Sequence, residues 1–496
     1  MGIVAKQSLF NTFISYAGIL LGFVLTIFLF PYILDPDQYG LTRVLLSASL
    51  IGVQFASLGV RNSVIRFFPF FESVTDKQHG LLLWAIVVPA VGFLLFSLLY
   101  WLFSDPIISF YADQSPLFVE YYFWVLPLTL FVLYFDIFNS YLRSLKDSVS
   151  GSVVQEIVQR LVTMALLGIY FFEWLSFPAF LTLFVLSYAA QPALVFARIW
   201  QRGEVRFRPS RRIMRKRVVA GLSSFTLYSL LGGIATVLVW NVDILMLGSM
   251  AGLANTAIYA VAFYIGSVIT VPQRAIDKIA SPLISEKIKK KQWDQVHSIY
   301  KKTALHQLLF GLFVFGAIWI NIDLFFLALP QQYGAGIWVV FIIGIGKLID
   351  ISTGANSDIL LHSRYYRFIF YSNLLLVVLT ISLNALLIPQ FGIEGAAFAT
   401  ATALFTYNTL KVVYLWRVLH MLPFTAAYAA ILVIGVASIL LTEALPVPGF
   451  LPLSVVLKNL TFGALFITPV FWFNLSPDLR QLLMQIGQKL VSWKKE

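Results

Sequence analysis

The chain has no cysteine and little charge, and each shortage excludes a class of protein. Without cysteine there is neither a disulfide-stapled secreted domain nor a thiolate-ligated metal or iron–sulfur centre. Only 12% of the 496 residues are charged and 59% are hydrophobic, which excludes an ordinary soluble enzyme of several domains. The five histidines are scattered, and no G-x-x-x-x-G-K-[ST] motif is present. The sequence therefore offers no metal-ligand spacing and no ATP-binding loop.

Long apolar runs make up most of the chain and predict its fold class. A bilayer core about 30 Å thick requires roughly 20 apolar residues per helix. Backbone groups in lipid must be satisfied within their own segment, so these runs predict helices rather than strands. We therefore expect an all-α polytopic membrane protein with fourteen transmembrane helices. The predicted spans lie at about residues 10–34, 41–60, 81–103, 117–142, 149–172, 176–198, 218–248, 253–273, 303–327, 337–360, 368–389, 393–416, 424–444 and 453–474.

The positive charge predicts how these spans are oriented. The chain has 35 Lys and Arg against 23 Asp and Glu, and almost all of the cations lie at every second connection, from Lys6 to Lys411 and beyond. Such a bias marks cytoplasmic loops, so both termini are expected in the cytoplasm and the net charge of +12 is mainly a topology signal. The opposite connections, at about 35–40, 104–116, 173–175, 249–252, 328–336, 390–392 and 445–452, contain no Lys or Arg.

The most basic connection divides the first twelve spans into two halves of six. Because both halves would begin in the cytoplasm, a repeat between them would be parallel, about an axis along the membrane normal. The last two spans fall outside this repeat and are interpreted as an addition. The predicted parts are an N-terminal lobe at 1–205, a basic cytoplasmic linker at 206–217, a C-terminal lobe at 218–420, two extra helices within 421–475 and a cytoplasmic tail at 476–496.

Three stretches of the sequence resemble one family of transporters. They read PYILDPDQYGLTRVLLSASLIGVQFASLGVRNSVIRF, NVDILMLGSMAGLANTAIYAVAFY and LNALLIPQFGIEGAAFATATA, and they occur in the family's order. On these stretches the chain resembles the polysaccharide-transport branch of the multidrug/oligosaccharidyl-lipid/polysaccharide exporter superfamily, which contains the O-antigen and capsule repeat-unit flippases. The resemblance implies two six-helix lobes that form a V around a central cavity, together with two extra C-terminal helices.

The same resemblance implies a function. By alternating opening, such a protein moves a polyprenyl-pyrophosphate-linked oligosaccharide across the bacterial cytoplasmic membrane, without catalysis and without a bound cofactor. The expected partners are the lipid-linked oligosaccharide, membrane lipids and the polysaccharide polymerase machinery, and no nucleic acid. Two alternatives stay open: a drug or cation antiporter of the same superfamily, which needs an acidic cavity, and a membrane glycosyltransferase or polymerase. The Asp35-Pro36-Asp37 motif of metal-dependent glycosyltransferases occupies a turn that is too short for a catalytic pocket, so we interpret it as a turn.

Charged residues within the spans are the candidate functional residues, because a charge at a helix centre in lipid costs about 2.5–3.5 kcal/mol even on mild scales. Glu156 and Arg160 are four residues apart and share a helix face. They form either a mutually neutralising pair or a site in which Arg160 binds the cargo diphosphate and Glu156 holds or releases it. Lys347 and Asp350 repeat the arrangement at three-residue spacing, with the same two interpretations.

Three further arginines are candidate cargo contacts. Arg43 lies just inside the outer end of the second span, where it is either an interfacial anchor bonded to the preceding loop or a phosphate contact. Arg61 and Arg274 lie at the inner ends of the second and eighth spans. They could recruit an anionic head group from the cytoplasmic leaflet, although ordinary positive-inside anchoring also explains them.

Buried acids are candidates for ion coupling. Asp243 has no cation within one helical turn, so it would be protonated or would bind a cation. The resemblance to the lipid II flippase implies a sodium site, for which Asp243, Asn384 and Thr400 match here, with Thr380 as a further candidate. Because asparagine stands where that pattern can have a second acid, proton coupling is equally open. The other acids that could hold the proton are Asp136, Glu156 and Asp350.

Overall fold

The computed structural model describes residues 3–71, 81–205, 233–234, 237–445, 451–478 and 481. Over these residues the regular structure is entirely helical, and no strand occurs among them. The all-α expectation is therefore confirmed.

The first eleven helices cover the region of the first six predicted spans. Two of the spans contain a π-helical stretch, at Val24–Leu29 and at Val154–Val158. The helices are α1 (Ile3–Phe23), α2 (Phe30–Ile33), α3 (Pro36–Ser57), α4 (Val60–Phe71), α5 (Leu81–Leu102), α6 (Ser104–Ala112), α7 (Pro116–Glu120), α8 (Val125–Ser144), α9 (Val149–Val153), α10 (Gln159–Phe171) and α11 (Phe177–Gln201).

Ten further helices complete the described chain. The longest of them, α19, contains non-helical backbone at Gly392 (φ 57°, ψ −129°), which separates two helices that run on from each other. These helices are α12 (Val237–Met250), α13 (Leu253–Ser267), α14 (Val271–Lys289), α15 (Trp293–Trp319), α16 (Ile322–Leu327), α17 (Ile337–Ser352), α18 (Asn356–His362), α19 (Tyr366–Leu419), α20 (Ala426–Glu443) and α21 (Leu451–Trp472).

Twelve helical segments of the described chain are long and apolar enough to cross a membrane. The segment Tyr366–Leu419 counts once among them, although it covers two predicted spans on either side of Gly392. The predicted seventh span, 218–248, falls mostly outside the described residues, and the shorter apolar helix α12 contains its last part. The count of fourteen spans therefore stays a prediction, whereas the polytopic membrane character is supported directly by these helices.

The chain divides into two compact units. Unit 1 comprises Met1–Val261 and Ile388–Ile393, and unit 2 comprises Ala262–Leu387 and Glu394–Glu496. Helix α12 thus belongs to unit 1, although the sequence assigns its residues to the C-terminal lobe. The boundaries of the predicted lobes at 1–205 and 218–420 stay a prediction, because the connection that divides them lies mostly outside the described residues. The basic linker at 206–217 and most of the tail at 476–496 lie outside the described residues.

The turn before α3 shows why the chain reverses at the end of its first span. Asp35 caps α3, and its side chain and that of Gln38 form a reciprocal capping box. Asp37 accepts a hydrogen bond of 3.0 Å from the backbone N–H of Ala254 and so caps α13 within the same unit. Both carboxylates are therefore engaged in helix capping, as the turn interpretation of Asp35-Pro36-Asp37 expects.

Unit 2 includes the two last helices, α20 and α21. Their apolar side chains, such as Ile431, Ile439 and Phe466, join one buried cluster with residues of α15, among them Leu312 and Phe315. Burial of large apolar side chains contributes about 1.5–3 kcal/mol each. The predicted addition is therefore packed onto the helices of unit 2 through a shared apolar core.

An ionic cluster around Asp147 connects α8, α9 and α11 at neighbouring ends of these helices. The Asp147 carboxylate accepts hydrogen bonds from the backbone N–H (3.1 Å) and hydroxyl (2.9 Å) of Ser150. It also pairs with Arg202 at 2.6 Å and with Arg198 at 3.6 Å. Burial raises the pKa of Asp147, but the Ser150 hydrogen bonds and the two arginines outweigh it and hold the pKa below the ordinary range.

We expect Asp147→Asn to lower the thermal unfolding temperature at neutral pH. Hydrogen bonds to charged groups contribute about 1.5–3 kcal/mol, and Asn removes the charge. Because the folded pKa is depressed, the stabilisation is complete above the unfolded pKa of about 4 and disappears as the pH falls through the folded value. The difference in unfolding temperature between wild type and variant, measured in detergent solution, should therefore become smaller at acidic pH. Asp113→Asn, at an exposed position, is the matched control; a gap that does not change with pH would contradict the assignment.

Candidate functional site

Arg43 lies inside unit 1 on a platform of aromatic rings. Its guanidinium donates hydrogen bonds to the Tyr39 hydroxyl (2.7 Å) and to the Thr26 hydroxyl (3.1 Å). It also lies 5.0 Å from the centre of the Tyr39 ring and 5.6 Å from that of Phe30, and these two rings are stacked with 4.7 Å between their centres. The Nε atom is buried and has no hydrogen-bond partner among the described residues. The cation is thus held in place while part of its donor capacity is unused.

Arg160 and Glu156 form the ion pair that their spacing predicts. The Nη2 atom of Arg160 lies 2.8 Å from Oε2 of Glu156, and the two side chains are 26% and 31% exposed. The Glu156 side chain packs against Gly18 of α1 so closely that a Cβ there would be 2.7 Å from Oε2. The Nη1 atom of Arg160 is buried and lacks a hydrogen-bond partner within the described chain. The pair is therefore real, but it does not use all of the donors of Arg160.

Unit 1 brings Arg43 and Arg160 to one region. Helix α10, which contains Arg160, packs against the stretch Val24–Leu29, which contains Thr26, a partner of Arg43. Tyr188 on α11 also interacts electrostatically with both guanidinium groups. Both π-helical stretches also contribute to this region, since Val24–Leu29 contains Thr26 and Val154–Val158 contains Glu156. Single-turn π-helical stretches inside α-helices are frequent at functional sites. We call Thr26, Tyr39, Arg43, Glu156, Arg160 and Tyr188 the arginine site.

The arrangement can bind an anion. Two guanidinium groups in a partly buried environment attract negative charge more strongly than they would in water. Arginine donates paired, parallel hydrogen bonds to phosphate oxygens, and each arginine here has a buried N–H group that no described residue accepts. A diphosphate offers oxygens on both phosphorus atoms, so it matches two arginines better than one.

Three members of the arginine site were not singled out from the sequence. Tyr39 is four residues before Arg43, a spacing that places both on one helix face and could have indicated the contact. Thr26 and Tyr188 give no such signal, because they reach Arg43 and Arg160 from other helices. Arg43 donates its hydrogen bonds to Thr26 and Tyr39. The two carboxylates of the preceding loop, Asp35 and Asp37, cap helices instead.

Lys347 is the candidate cation of unit 2. It is buried in α17, and its ammonium lies 5.3 Å from the centre of the Phe263 ring. Asp350 accepts a hydrogen bond of 2.7 Å from the side-chain amide of Asn408. The next acid along the chain, Asp358, accepts one of 2.8 Å from Ser281. Pairing of Lys347 with Asp350, and a cargo contact of Lys347, stay predictions.

The candidate coupling residues divide between the two units. Asp243 is 4% exposed in unit 1, and it accepts a hydrogen bond of 2.7 Å from the hydroxyl of Tyr259. Asn384, Thr400 and Thr380 are buried in unit 2, where the Thr380 hydroxyl donates to the carbonyl of Leu376 at 2.8 Å. The predicted sodium site at Asp243 stays a prediction. Among the described residues, no group of three or more His, Cys, Asp or Glu side chains could hold a metal ion.

The candidates that the sequence places at the cytoplasmic ends of the spans differ in their surroundings. Asp136 of α8 pairs with Arg61 at 3.2 Å and is also close to Arg143. This acid therefore interacts with two cations. Arg274 is exposed on α14, where it could serve either as a membrane anchor or as a head-group contact. The roles of these residues in cargo binding and ion coupling stay predictions.

The described features define a polytopic all-helical membrane protein with a partly buried arginine site. The chain belongs to the polysaccharide biosynthesis protein family, whose model matches residues 4–287. This family match agrees with the polysaccharide-transport resemblance of the sequence. No curated protein sequence matches the chain.

Solved structures share its fold at low sequence identity. The lipid II flippase MurJ, in an inward closed conformation, superposes with a TM-score of 0.71 at 12% identity over 93% of this chain and 99% of its own. An inward-facing multidrug resistance transporter of the MATE family gives 0.62 at 11% identity, over 84% and 97%. The Vibrio cholerae MATE transporter VcmN gives 0.52 at 14% identity, over 85% and 98%. These likenesses concern the fold.

Proposed function

We propose that the protein is a flippase for a polyprenyl-pyrophosphate-linked oligosaccharide, such as an O-antigen, capsule or exopolysaccharide unit. It moves this cargo across the bacterial cytoplasmic membrane by alternating access, without catalysing a reaction. The observation that supports this proposal best is the arginine site, with two cations and unused donors on both. The family match, to polysaccharide biosynthesis proteins, supports a saccharide cargo.

Electrostatics explains why such a cargo needs cations within the protein. A diphosphate is strongly hydrated, and moving its charge through a medium of low dielectric constant is prohibitive without compensation. Fixed arginines replace the water with preorganised donors. The hydroxyl groups of the oligosaccharide are polar but carry no charge. The lipid tail can stay in the bilayer throughout. The diphosphate is therefore the part of the cargo that the protein must recognise by charge.

An ion gradient drives the cycle in this proposal. Asp243 is buried and hydrogen-bonded to a tyrosine, which suits an acid that binds a proton or a sodium ion at one stage of a cycle. The lipid-linked oligosaccharide is the main partner, with membrane lipids and polysaccharide polymerase machinery as further ones. Lys347, Arg61 and Arg274 are proposed as additional cargo contacts.

The antiporter alternative requires a cation to be bound where the flippase binds an anion. The MATE fold likeness keeps this alternative open, and the buried Asp243 would be its main cation ligand. The arginine site argues against it, because two guanidinium groups repel a cationic drug. A membrane glycosyltransferase or polymerase would change its substrate chemically, which gives a third distinguishable outcome.

Reconstitution tests the three possibilities together. The purified protein is placed in vesicles with a fluorescent polyprenyl-pyrophosphate oligosaccharide, and the outward-facing fraction is measured with a membrane-impermeant quencher. We expect protein-dependent equilibration of chemically unchanged cargo between leaflets. Transport of a cationic dye without movement of the lipid would establish the antiporter, and a cargo of altered mass would establish an enzyme.

A further inference from the structure

Unit 2 contains a second buried cation, Lys411, outside the residues proposed above. The side chain belongs to α19 and is 2% exposed. Its ammonium donates a hydrogen bond of 3.0 Å to the Ser357 hydroxyl and lies 3.8 Å from the centre of the Tyr407 ring. No carboxylate of the described chain lies within ion-pair distance of it, although Asp350 is within electrostatic range. A buried lysine in this situation is held without a direct counter-ion.

Lys411 contacts the chain where a membrane helix is interrupted. Helix α17 ends at Ser352 and α18 begins at Asn356, with Gly354 in the left-handed region (φ 66°) between them. The interruption frees backbone groups, and the N–H of Ala355 is satisfied by the Thr303 hydroxyl at 3.2 Å. Interrupted helices in transporters commonly surround coupling-ion sites, because their freed polar groups face a cavity or one another.

A chain of hydrogen bonds connects Lys411 to Asp350 across this interruption. The Ser357 hydroxyl, which accepts from Lys411, donates to the side-chain oxygen Oδ1 of Asn356 at 3.2 Å. The side-chain amide of Asn356 donates to Oδ1 of Asn408 at 3.4 Å, and the side-chain amide of Asn408 donates to Asp350 at 2.7 Å. Every donor in the chain points from the ammonium toward the carboxylate. The dipoles are therefore aligned by the two charges at the ends.

The other ionisable groups nearby are engaged elsewhere. On α18, Asp358 accepts from Ser281 at 2.8 Å, and His362 lies 3.3 Å from the same hydroxyl. On α14, Asp277 accepts from Gln307 at 2.7 Å. The Tyr407 hydroxyl, on the helix of Lys411, donates to Asn373 at 2.8 Å. Asp350 is thus the acid whose charge the lysine faces.

We propose that Lys411 is an exchangeable proton site of unit 2. With its proton bound, the ammonium and Asp350 polarise the connecting hydrogen bonds and hold the interruption between α17 and α18 against α19. When the proton leaves, the cationic end of the hydrogen-bond chain is lost and this connection weakens. The site makes the proton a coupling ion of the transport cycle, a consequence that rests on the proposed flippase function.

The variants Lys411→Arg and Lys411→Met distinguish the effect of proton exchange from the effects of side-chain charge and side-chain volume. Arginine keeps the charge but does not release its proton at accessible pH, and methionine keeps an unbranched side chain without charge. Detergent-solution unfolding temperatures are measured from neutral to alkaline pH. We expect the unfolding temperature of the wild type to change with pH over this range, and to change less in both variants. Lys301→Arg, a conservative control, should show the same change as the wild type. This measurement does not require cargo or transport.

The second measurement concerns coupling. In the vesicle assay, a pH gradient should bias the leaflet distribution of the cargo with the wild type and not with Lys411→Arg, which should still equilibrate the cargo without a gradient. Unfolding curves of both variants that follow the wild-type pH dependence would overturn the proton site. If no variant and no wild-type protein moves the cargo, the flippase function fails, while the unfolding data still decide the proton site.

Discussion

Arg160→Ala is expected to reduce export of the surface polysaccharide, and leaflet equilibration of the cargo in vesicles, by about ten- to a hundredfold. The variant removes charge-assisted hydrogen bonds to the diphosphate, which contribute about 1.5–3 kcal/mol. Arg160→Lys should also be impaired, because a lysine keeps the charge but cannot form the paired, parallel hydrogen bonds of a guanidinium. The exposed Lys289→Ala is the matched control for loss of a positive charge.

A double variant distinguishes cargo binding from mutual neutralisation. If Arg160 serves only to balance Glu156, removing it alone leaves a partly buried carboxylate unpaired and destabilises the protein. Arg160→Met combined with Glu156→Gln removes both charges together, so a purely structural pair would be restored to nearly normal export. We expect the double variant to be folded and still defective. Wild-type export by the double variant, at equal protein level, would eliminate the cargo contact.

Gly40→Ala is expected to prevent normal folding or to lower the unfolding temperature strongly. Gly40 lies in the first turns of α3, and a Cβ there would overlap the backbone carbonyl oxygen of Leu253, at the start of α13. The obstacle is backbone, and the Asp37 cap on Ala254 fixes α13 close by. The helices must therefore separate, at a cost of roughly 3 kcal/mol, the upper part of the usual range for overpacking.

Gly168→Ala is the matched control for this prediction. Gly168 also lies within a helix, α10, but a Cβ there meets no atom within 4 Å. Alanine is favoured over glycine in a helix interior by about 1 kcal/mol, so this variant should be as stable as the wild type or slightly more stable. The readouts are the monodisperse fraction after detergent extraction and the unfolding temperature. Equal behaviour of the two variants would show that the contact of Gly40 with α13 is not tight.

The sequence predicted the membrane class and helical fold because both depend on local composition. An apolar run long enough to cross a bilayer must form a helix to satisfy its own backbone groups. The distribution of cations between alternate connections does not depend on how the helices pack. The pairing of Glu156 with Arg160 was also accessible, since residues four apart on a helix are neighbours. Likewise, the short turn at Asp35 and Asp37 could be distinguished from a metal site, although the helix that Asp37 caps could not be identified.

The remaining features arise from contacts between segments far apart in the chain, which have no fixed spacing in sequence. Arg43 donates a hydrogen bond to Thr26, which belongs to another helical segment, and Tyr188 of α11 interacts electrostatically with both Arg43 and Arg160. The sequence groups Lys411 with the cations of the cytoplasmic connections. In the structure it is buried and hydrogen-bonded to Ser357. The sequence by itself determined which segments enter the membrane and which charges are costly there. Only the tertiary structure decided which of those charges share a site, because a charge in a low-dielectric interior is defined by the groups that fold around it.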